Sequence, residues 1–263
     1  MKGGDATASG KDGGYGIRNH GQFTMSGGTI TNAVGGKATG RTGDGGDGIY
    51  CGDTLTIEGG EIKQATGGDA TGESGTGGSG IRSGDTLTIS NSATITNATG
   101  GTSTNGNGGS GIYSNRELKI DGSAAITNAT GGSGKSGGAG VSTESGIVSI
   151  GNSDTPLDLT ATAPDADNAI RGRDGKKLDE IIHLEENGKR GLVKLVENGV
   201  TRLFHNGVYT KSIYPAGSET HPLGDWVITK KPTCTEKGER QRSCKVEHCV
   251  VTETEELPAL GHQ

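Results

Sequence analysis

The sequence predicts an all-β protein: a parallel β-helix of about five coils of 31–33 residues, then a small antiparallel β meander and a small β-rich cysteine module. Three observations lead there. Glycine fills 52 of 263 positions while apolar residues reach 28% and aromatic residues 3%, too little for a conventional core through much of the chain. Most of that glycine, 42 residues, falls between Gly3 and Gly151, and this half repeats itself. Each repeat carries three short apolar segments of period two, the alternation of strands, and none has the 3.6 period of a helix.

Aligned on Gly-Gly, the repeats begin at Gly3, Gly35, Gly67 and Gly100, and a degenerate fifth begins at Gly131. A fixed period overrides the disordered-linker reading that Gly/Ser/Thr-rich sequence would otherwise receive. Three strands per repeat imply a triangular coil whose equivalent side chains stack about 4.8 Å apart. The inward columns are Ile17, Ile49, Ile81, Ile112 and Val141; Phe23, Leu55, Leu87, Leu118 and Val148; and Met25, Ile57, Ile89, Ile120 and Ile150. A fourth, on the last strand, is Ile30, Ile62, Ile95 and Ile126. Asn32, Gln64, Asn97 and Asn128 share one position, as a structural amide ladder at a corner requires. Ala33, Ala65, Ala98 and Ala129 follow at once, small enough for a tight turn. Segments such as GGDATGESGTGG are too rich in glycine for strands and are read as a loop protruding at the same corner of every coil. Cys51 falls by parity beside inward Ile49, in a column with Asn19, Ser83, Ser114 and Thr143, where an inert buried thiol is expected.

These repeats resemble the right-handed parallel β-helix family, the pectate-lyase-like and adhesin-like surface proteins of bacteria, over about residues 3–164. The resemblance implies right-handed coiling and an extracellular or cell-surface location. Coils of that family are shorter, so the long glycine loops are a departure. The first residues match mid-repeat sequence with no polar cap over the open end, which suggests a fragment of a longer chain. A monomer is expected, with end-to-end association through the uncapped N-terminal coil as the route to larger assemblies.

The solenoid is placed at 1–164 and the meander at 165–214, capping the last coil. Three Asn-Gly turns, at Asn187, Asn198 and Asn206, separate alternating runs Ile181–Leu184, Leu192–Val196, Val200–Phe204 and Val208–Lys211. Residues 215–220 read as a linker and 221–263 as the cysteine module. That module resembles one recurring near the ends of Gram-positive gut-bacterial surface proteins, on His221, Trp226, Cys234, Thr235, Glu236, Gly238, Cys244, Pro258, Ala259, Gly261 and His262. Four residues separate Cys244 from Cys249 where that module has two. Cys234, Cys244 and Cys249 with His248, His221 or His262 supply a tetrahedral zinc set; a disulfide or reduced thiols are the alternatives.

Charge excludes little else: 25 basic against 31 acidic residues leave no basic stripe for nucleic acid. No apolar run is long enough for a membrane helix, and no signal peptide precedes the repeats. A calcium β-roll fails because its aspartate position holds Tyr50; Asp5, Asp44, Asp47 and Asp69 read as solvated loop charge. A polysaccharide lyase or hydrolase needs clustered acids, and the close solenoid pair is Glu58 with Glu61, in a turn. Threonine rows Thr24, Thr56, Thr88 and Thr31, Thr96, Thr127 invite an ice-binding reading, but Lys119 and Lys63 interrupt them.

The candidate ligand-binding row is outward: Arg18, Tyr50, Arg82, Tyr113, then Ser142. Such alternation would stack sugar rings and pair with uronate or sulfate groups; self-stacking on an exposed face is the alternative. The reading is a non-catalytic bacterial cell-surface or secreted repeat protein, an adhesin or stalk binding polysaccharide or host glycan. No catalytic residue and no cofactor other than zinc in the tail is assigned. A β-helix carbohydrate-active enzyme is the rival.

Overall fold

The computed structural model describes residues 1–145, 148–150, 157–164, 169–172, 193–197, 200–205, 208–215, 223–243 and 252–261. The first coil carries β1 (Ile17–Asn19), β2 (Phe23–Met25), β3 (Thr29–Ile30) and β4 (Ala33–Val34). The second repeats them as β5 (Ile49–Cys51), β6 (Leu55–Ile57), β7 (Glu61–Ile62) and β8 (Ala65–Thr66). The third has β9 (Ile81–Ser83), β10 (Leu87–Ile89), β11 (Thr94–Ile95) and β12 (Ala98–Thr99). In the fourth, β13 (Ile112–Ser114) and β14 (Leu118–Ile120) are followed by β15 (Ala125–Thr130), which merges the last two segments. The strands of a fifth are β16 (Val141–Thr143), β17 (Val148–Ile150) and β18 (Leu157–Thr162). Then come β19 (Ile170–Arg171), β20 (Val193–Glu197), β21 (Val200–His205) and β22 (Val208–Pro215), and finally β23 (Val227–Lys230), β24 (Gly238–Ser243) and β25 (Thr252–Leu257).

Equivalent strands stack in parallel, so the chain is a parallel β-solenoid with three sheets. The first runs β1-β5-β9-β13-β16-β19 and the second β2-β6-β10-β14-β17. The third runs β3-β7-β11-β15-β18-β20 and continues into β21 and β22, which turn antiparallel. Parallel pairing therefore extends past Pro164, with β19 on β16 and β20 on β18. The expected runs around Leu192–Val196, Val200–Phe204 and Val208–Lys211 fall on β20, β21 and β22, and Ile181–Leu184 lies outside the described residues.

Period-two alternation decides which side chains enter the solenoid. Register pairs Ile49 with Ile81, Leu55 with Leu87, Ile57 with Ile89 and Ile62 with Ile95, and all eight are buried. Each such side chain contributes about 1.5–3 kcal/mol once its neighbours above and below exclude water. At the first coil Ile17, Phe23 and Ile30 have one stacking neighbour instead of two and remain half-buried. Of the expected amide ladder one link forms, from Asn128 Nδ2 to Asn97 Oδ1 at 3.3 Å. Gln64, one methylene longer, turns aside to Thr66, and Asn97 donates to the Lys63 carbonyl.

The glycine segments protrude at the same corner of every coil, as their composition suggests, but they are closely packed and not open loops. In each coil one Gly-Gly pair leads out from the third sheet and another returns to the first, and the two backbones pack directly on each other. Successive N–H groups donate from Gly14 to Gly4, Gly36 to Gly14, Gly46 to Gly36, Gly68 to Gly46, Gly78 to Gly68 and onward to Gly138, at 2.7–2.9 Å. This zigzag crosses the arm within a coil, then steps to the next coil. A Cβ on Gly68 would stand 1.9 Å from the Gly36 oxygen, and one on Gly35 would stand 1.8 Å from the Gly46 oxygen, so no side chain fits. Beyond the glycines, Ala38, Ala70 and Ser103 form a buried column linked by isolated parallel bridges. Each coil is thus a triangle with a flat arm, and the arm has its own interior of backbone and methyl groups.

Carboxylates stitch the arm. Asp5, Asp12, Asp44, Asp47 and Asp69 each accept the backbone N–H of the next coil, on Lys37, Asp44, Thr76, Ser79 and Thr102, at 2.6–3.0 Å. Of the aspartates expected to be solvated loop charge, Asp5 and Asp44 are exposed and Asp47 is buried, and all four also serve as inter-coil acceptors. Lys37 and two donors on Thr102 outweigh burial at Asp69 and hold its carboxyl below the usual range.

The C-terminal β23-β24-β25 sheet is antiparallel. Arg240 and Arg242 pair across it with Glu255 and Glu253 and flank the Trp226 ring, each 4.6 Å from its centroid. Val227 and Ile228 stay exposed. Among the described residues no helix is long and apolar enough to cross a membrane.

Candidate functional site

The outward row of the first sheet is in register as Arg18, Tyr50, Arg82, Tyr113, Ser142 and Arg171. Its members stack on one another. The Arg18 guanidinium lies 4.8 Å from the Tyr15 centroid and 5.9 Å from that of Tyr50, and Arg82 lies 5.1 Å from that of Tyr113. Tyr15 and Tyr50 are tilted against each other at 4.8 Å. The planar cation over a ring face stabilises each pair and holds the side chains upright from the sheet.

Where the returning limb of the arm meets the first sheet, this row becomes one wall of a groove of about 400 Å³. Tyr15, Arg82, Tyr113 and Arg171 line that wall. The floor is the glycine limb, which brings backbone close to any occupant because no Cβ intervenes. The far edge runs Asp12, Asp44, Thr76, Asn107, and the inner row Asp47, Ser79, Ser110. Arg18 and Tyr50 continue the row outside the groove lining. Sequence reasoning missed Tyr15, which precedes β1 at the position of Asp47, Ser79 and Ser110 and meets the row through its ring contacts with Arg18 and Tyr50, and Arg171, which lies beyond the repeats and joins through the pairing of β19 with β16.

Groove electrostatics change along the solenoid. Asp47 is 4% exposed, and burial pushes its carboxyl up to about 6, while Arg82 and the Ser79 N–H pull it down and Asp44 adds to the rise. Burial and the Glu144 carboxylate raise the Tyr113 phenol, whose hydroxyl donates to Glu144 at 2.7 Å. Arg82 is half-buried, and its Nε is buried with no hydrogen-bond partner among the described residues. Ser110 and Ser142 share a hydrogen bond of 2.8 Å beneath Tyr113. An unpartnered guanidinium N–H beside aromatic faces and hydroxyls suits a planar anion attached to a ring of hydroxyl groups.

Other candidate positions give less. Cys51 is buried with its single S–H shared between the Gly21 and Thr54 carbonyls, as the Ser83 and Ser114 hydroxyls are shared between the equivalent carbonyls, so its thiol occupies a hydroxyl's place at the corner. Thr24, Thr56 and Thr88 align on the second sheet with Lys119 next in register. Cys234 is exposed, and His221, Cys244, His248, Cys249 and His262 lie outside the described residues. Among the described residues no group of three or more His, Cys, Asp or Glu could hold a metal ion. No family model matches the chain, and no curated protein or solved structure matches it either.

Proposed function

We propose that this chain is a non-catalytic repeat protein of the bacterial cell surface or secreted space, a rigid stalk that binds carbohydrate in the groove between the first sheet and the glycine arm. The supporting observation is the lining: aromatic rings at Tyr15 and Tyr113, each already carrying an arginine on one face, fork donors at Arg82 and Arg171, and neutral polar groups at Thr76, Ser79, Asn107 and Ser110 along one concave track. Aromatic stacking with convergent hydrogen-bonding groups is how sugar rings are held. The stack rises one strand spacing per coil, so the track suits a linear chain better than a compact molecule.

The test is a glycan array probed with the intact chain and with the Arg18, Tyr50, Arg82 and Tyr113 to Ala variant, after circular dichroism shows that both fold. The reading requires a specific signal that the variant loses; no signal from either protein overturns it. One observation favours an enzyme instead: the raised Asp47 carboxyl stands near Asp44, and perturbed carboxyls cluster at catalytic sites. Both already accept backbone N–H groups, which is a structural use. Release of reducing or unsaturated ends from pectin, alginate or glycosaminoglycans would favour the enzyme. Zinc on Cys234, Cys244, Cys249 and His248 is a separate proposal, and metal analysis of protein purified without chelator tests it.

A further inference from the structure

We propose that the groove from the third coil to β19 is a subsite for an acidic polysaccharide, whose carboxylate or sulfate groups pair with Arg82 and Arg171 on either side of Tyr113. The proposal rests on the carbohydrate-binding reading and names its substrate class.

The groove is not uniform. On its far edge Asp12 and Asp44 give way to Thr76 and Asn107, and on its inner row Asp47 gives way to Ser79 and Ser110. The acidic positions therefore end where the third coil begins. Over the coils that follow, the groove lining is neutral apart from the arginines, while outside that lining Glu144 accepts from the Tyr113 hydroxyl. Arg82 points its stacked guanidinium along the Tyr113 face, and among the described residues it makes no ion pair. Its Nε–H is buried without an acceptor, which is costly unless an acceptor arrives. A carboxylate or sulfate accepts two parallel N–H bonds from such a fork once a ligand uncovers the unpaired Arg82 edge.

Arg171 follows Tyr113 and Ser142 in the same row, three strands from Arg82. At ~4.8 Å per strand the two cations stand roughly 14 Å apart along the solenoid axis. One small anion does not reach both, whereas a polymer with regularly spaced acidic groups does, with a sugar ring over Tyr113 between them. Asp12, Asp44 and Asp47 repel the same polymer at the other end, so its acidic stretch is confined to the later coils. Recognition then depends on chain length as well as charge.

Isothermal titration tests this with three probes of equal length: oligogalacturonate with carboxylates alone, a carrageenan oligosaccharide with sulfates alone, and a neutral cello-oligosaccharide. Binding of either acidic probe at least tenfold tighter than the neutral one is expected, and which of them binds identifies the anion. Galacturonate monomer should bind at least tenfold more weakly than the oligomer. Arg82→Gln and Arg171→Gln should each weaken acidic binding at least tenfold, and Lys119→Gln on the second sheet should leave it unchanged. Equal affinity for acidic and neutral probes overturns the subsite while leaving carbohydrate binding intact. Acidic binding that survives both arginine variants overturns it as well. No binding of any probe, together with a silent array, overturns both readings. Arg171→Gln keeps the test decisive if Arg82→Gln fails to fold.

Discussion

The triangular solenoid and its glycine arm are built from the same coils and stack with the same period, yet they cohere by different means. In the triangle, Ile, Leu and Ala columns exclude water, and the hydrogen bonds follow the sheets. In the arm, backbone packs on backbone, glycine N–H bonds glycine carbonyl in a continuous zigzag, and aspartates accept the remaining N–H groups of the next coil. Periodicity alone therefore stacks a chain; an apolar side chain is one way to fill the interior, and the absence of any side chain is another. The groove exists because these two bodies meet at an angle along one line.

Several substitutions would break or sharpen that contrast. The largest effect is expected in the triangle: Ile89→Ala empties a fully buried site between Ile57 and Ile120 and should cost about 2–5 kcal/mol in denaturant unfolding. Next comes Gly68→Ala, which forces a methyl into the Gly36 carbonyl and should cost about 3 kcal/mol, through overpacking plus broken backbone bonds. Its damage should be local, with amide protection lost in the arm and kept in the three sheets. Wild-type stability for this variant would mean that the arm is not close-packed.

A third effect is pH-dependent. The Asp47 carboxyl is raised to about 6 when folded and returns to ~3.9 when unfolded, so the folded state holds the extra proton between those values. Its contribution is full below pH ~4 and is lost as pH rises through about 6, a change of about 3 kcal/mol. The melting temperature should fall over that window in the wild type, and Asp47→Asn should flatten the profile. An unchanged slope in the variant would show that Asp47 is not the group responsible. The smallest effect is expected at Cys51→Ser, within about 1 kcal/mol of wild type, because the Ser83 and Ser114 hydroxyls already sit between the equivalent pair of carbonyls. Cys51→Val, which keeps bulk but has no donor, should be the more costly change.

What was legible in the sequence follows from this division. Ile49, Leu55, Ile57 and Ile62 recur at a fixed spacing and alternate with polar residues, so columns, strands and solenoid could be read from one chain. The row Arg18, Tyr50, Arg82, Tyr113 was legible for the same reason, by parity on one strand per coil. The arm was not, because glycine carries no pattern of polarity: the sequence shows that a side chain is missing without showing what approaches in its place. Tyr15 was hidden because its column changes residue type, to Asp47, Ser79 and Ser110, and Arg171 because it lies beyond the repeats. The amide column was visible as a column, but rotamer length and competing acceptors at Thr66 and Lys63 left one of its links formed.

The claim on which both the architecture and the groove depend is that the glycine arm is a packed interior and not a set of solvated loops. Hydrogen exchange of the Gly46, Gly68, Gly78 and Gly101 amides measures this directly. The account predicts protection approaching that of Leu87 and Ile89 in the second sheet, since each of these glycine amides is bonded to another glycine carbonyl. Exchange at the rate of an unstructured chain, with the sheets still protected, would contradict it and remove one wall of the proposed binding site.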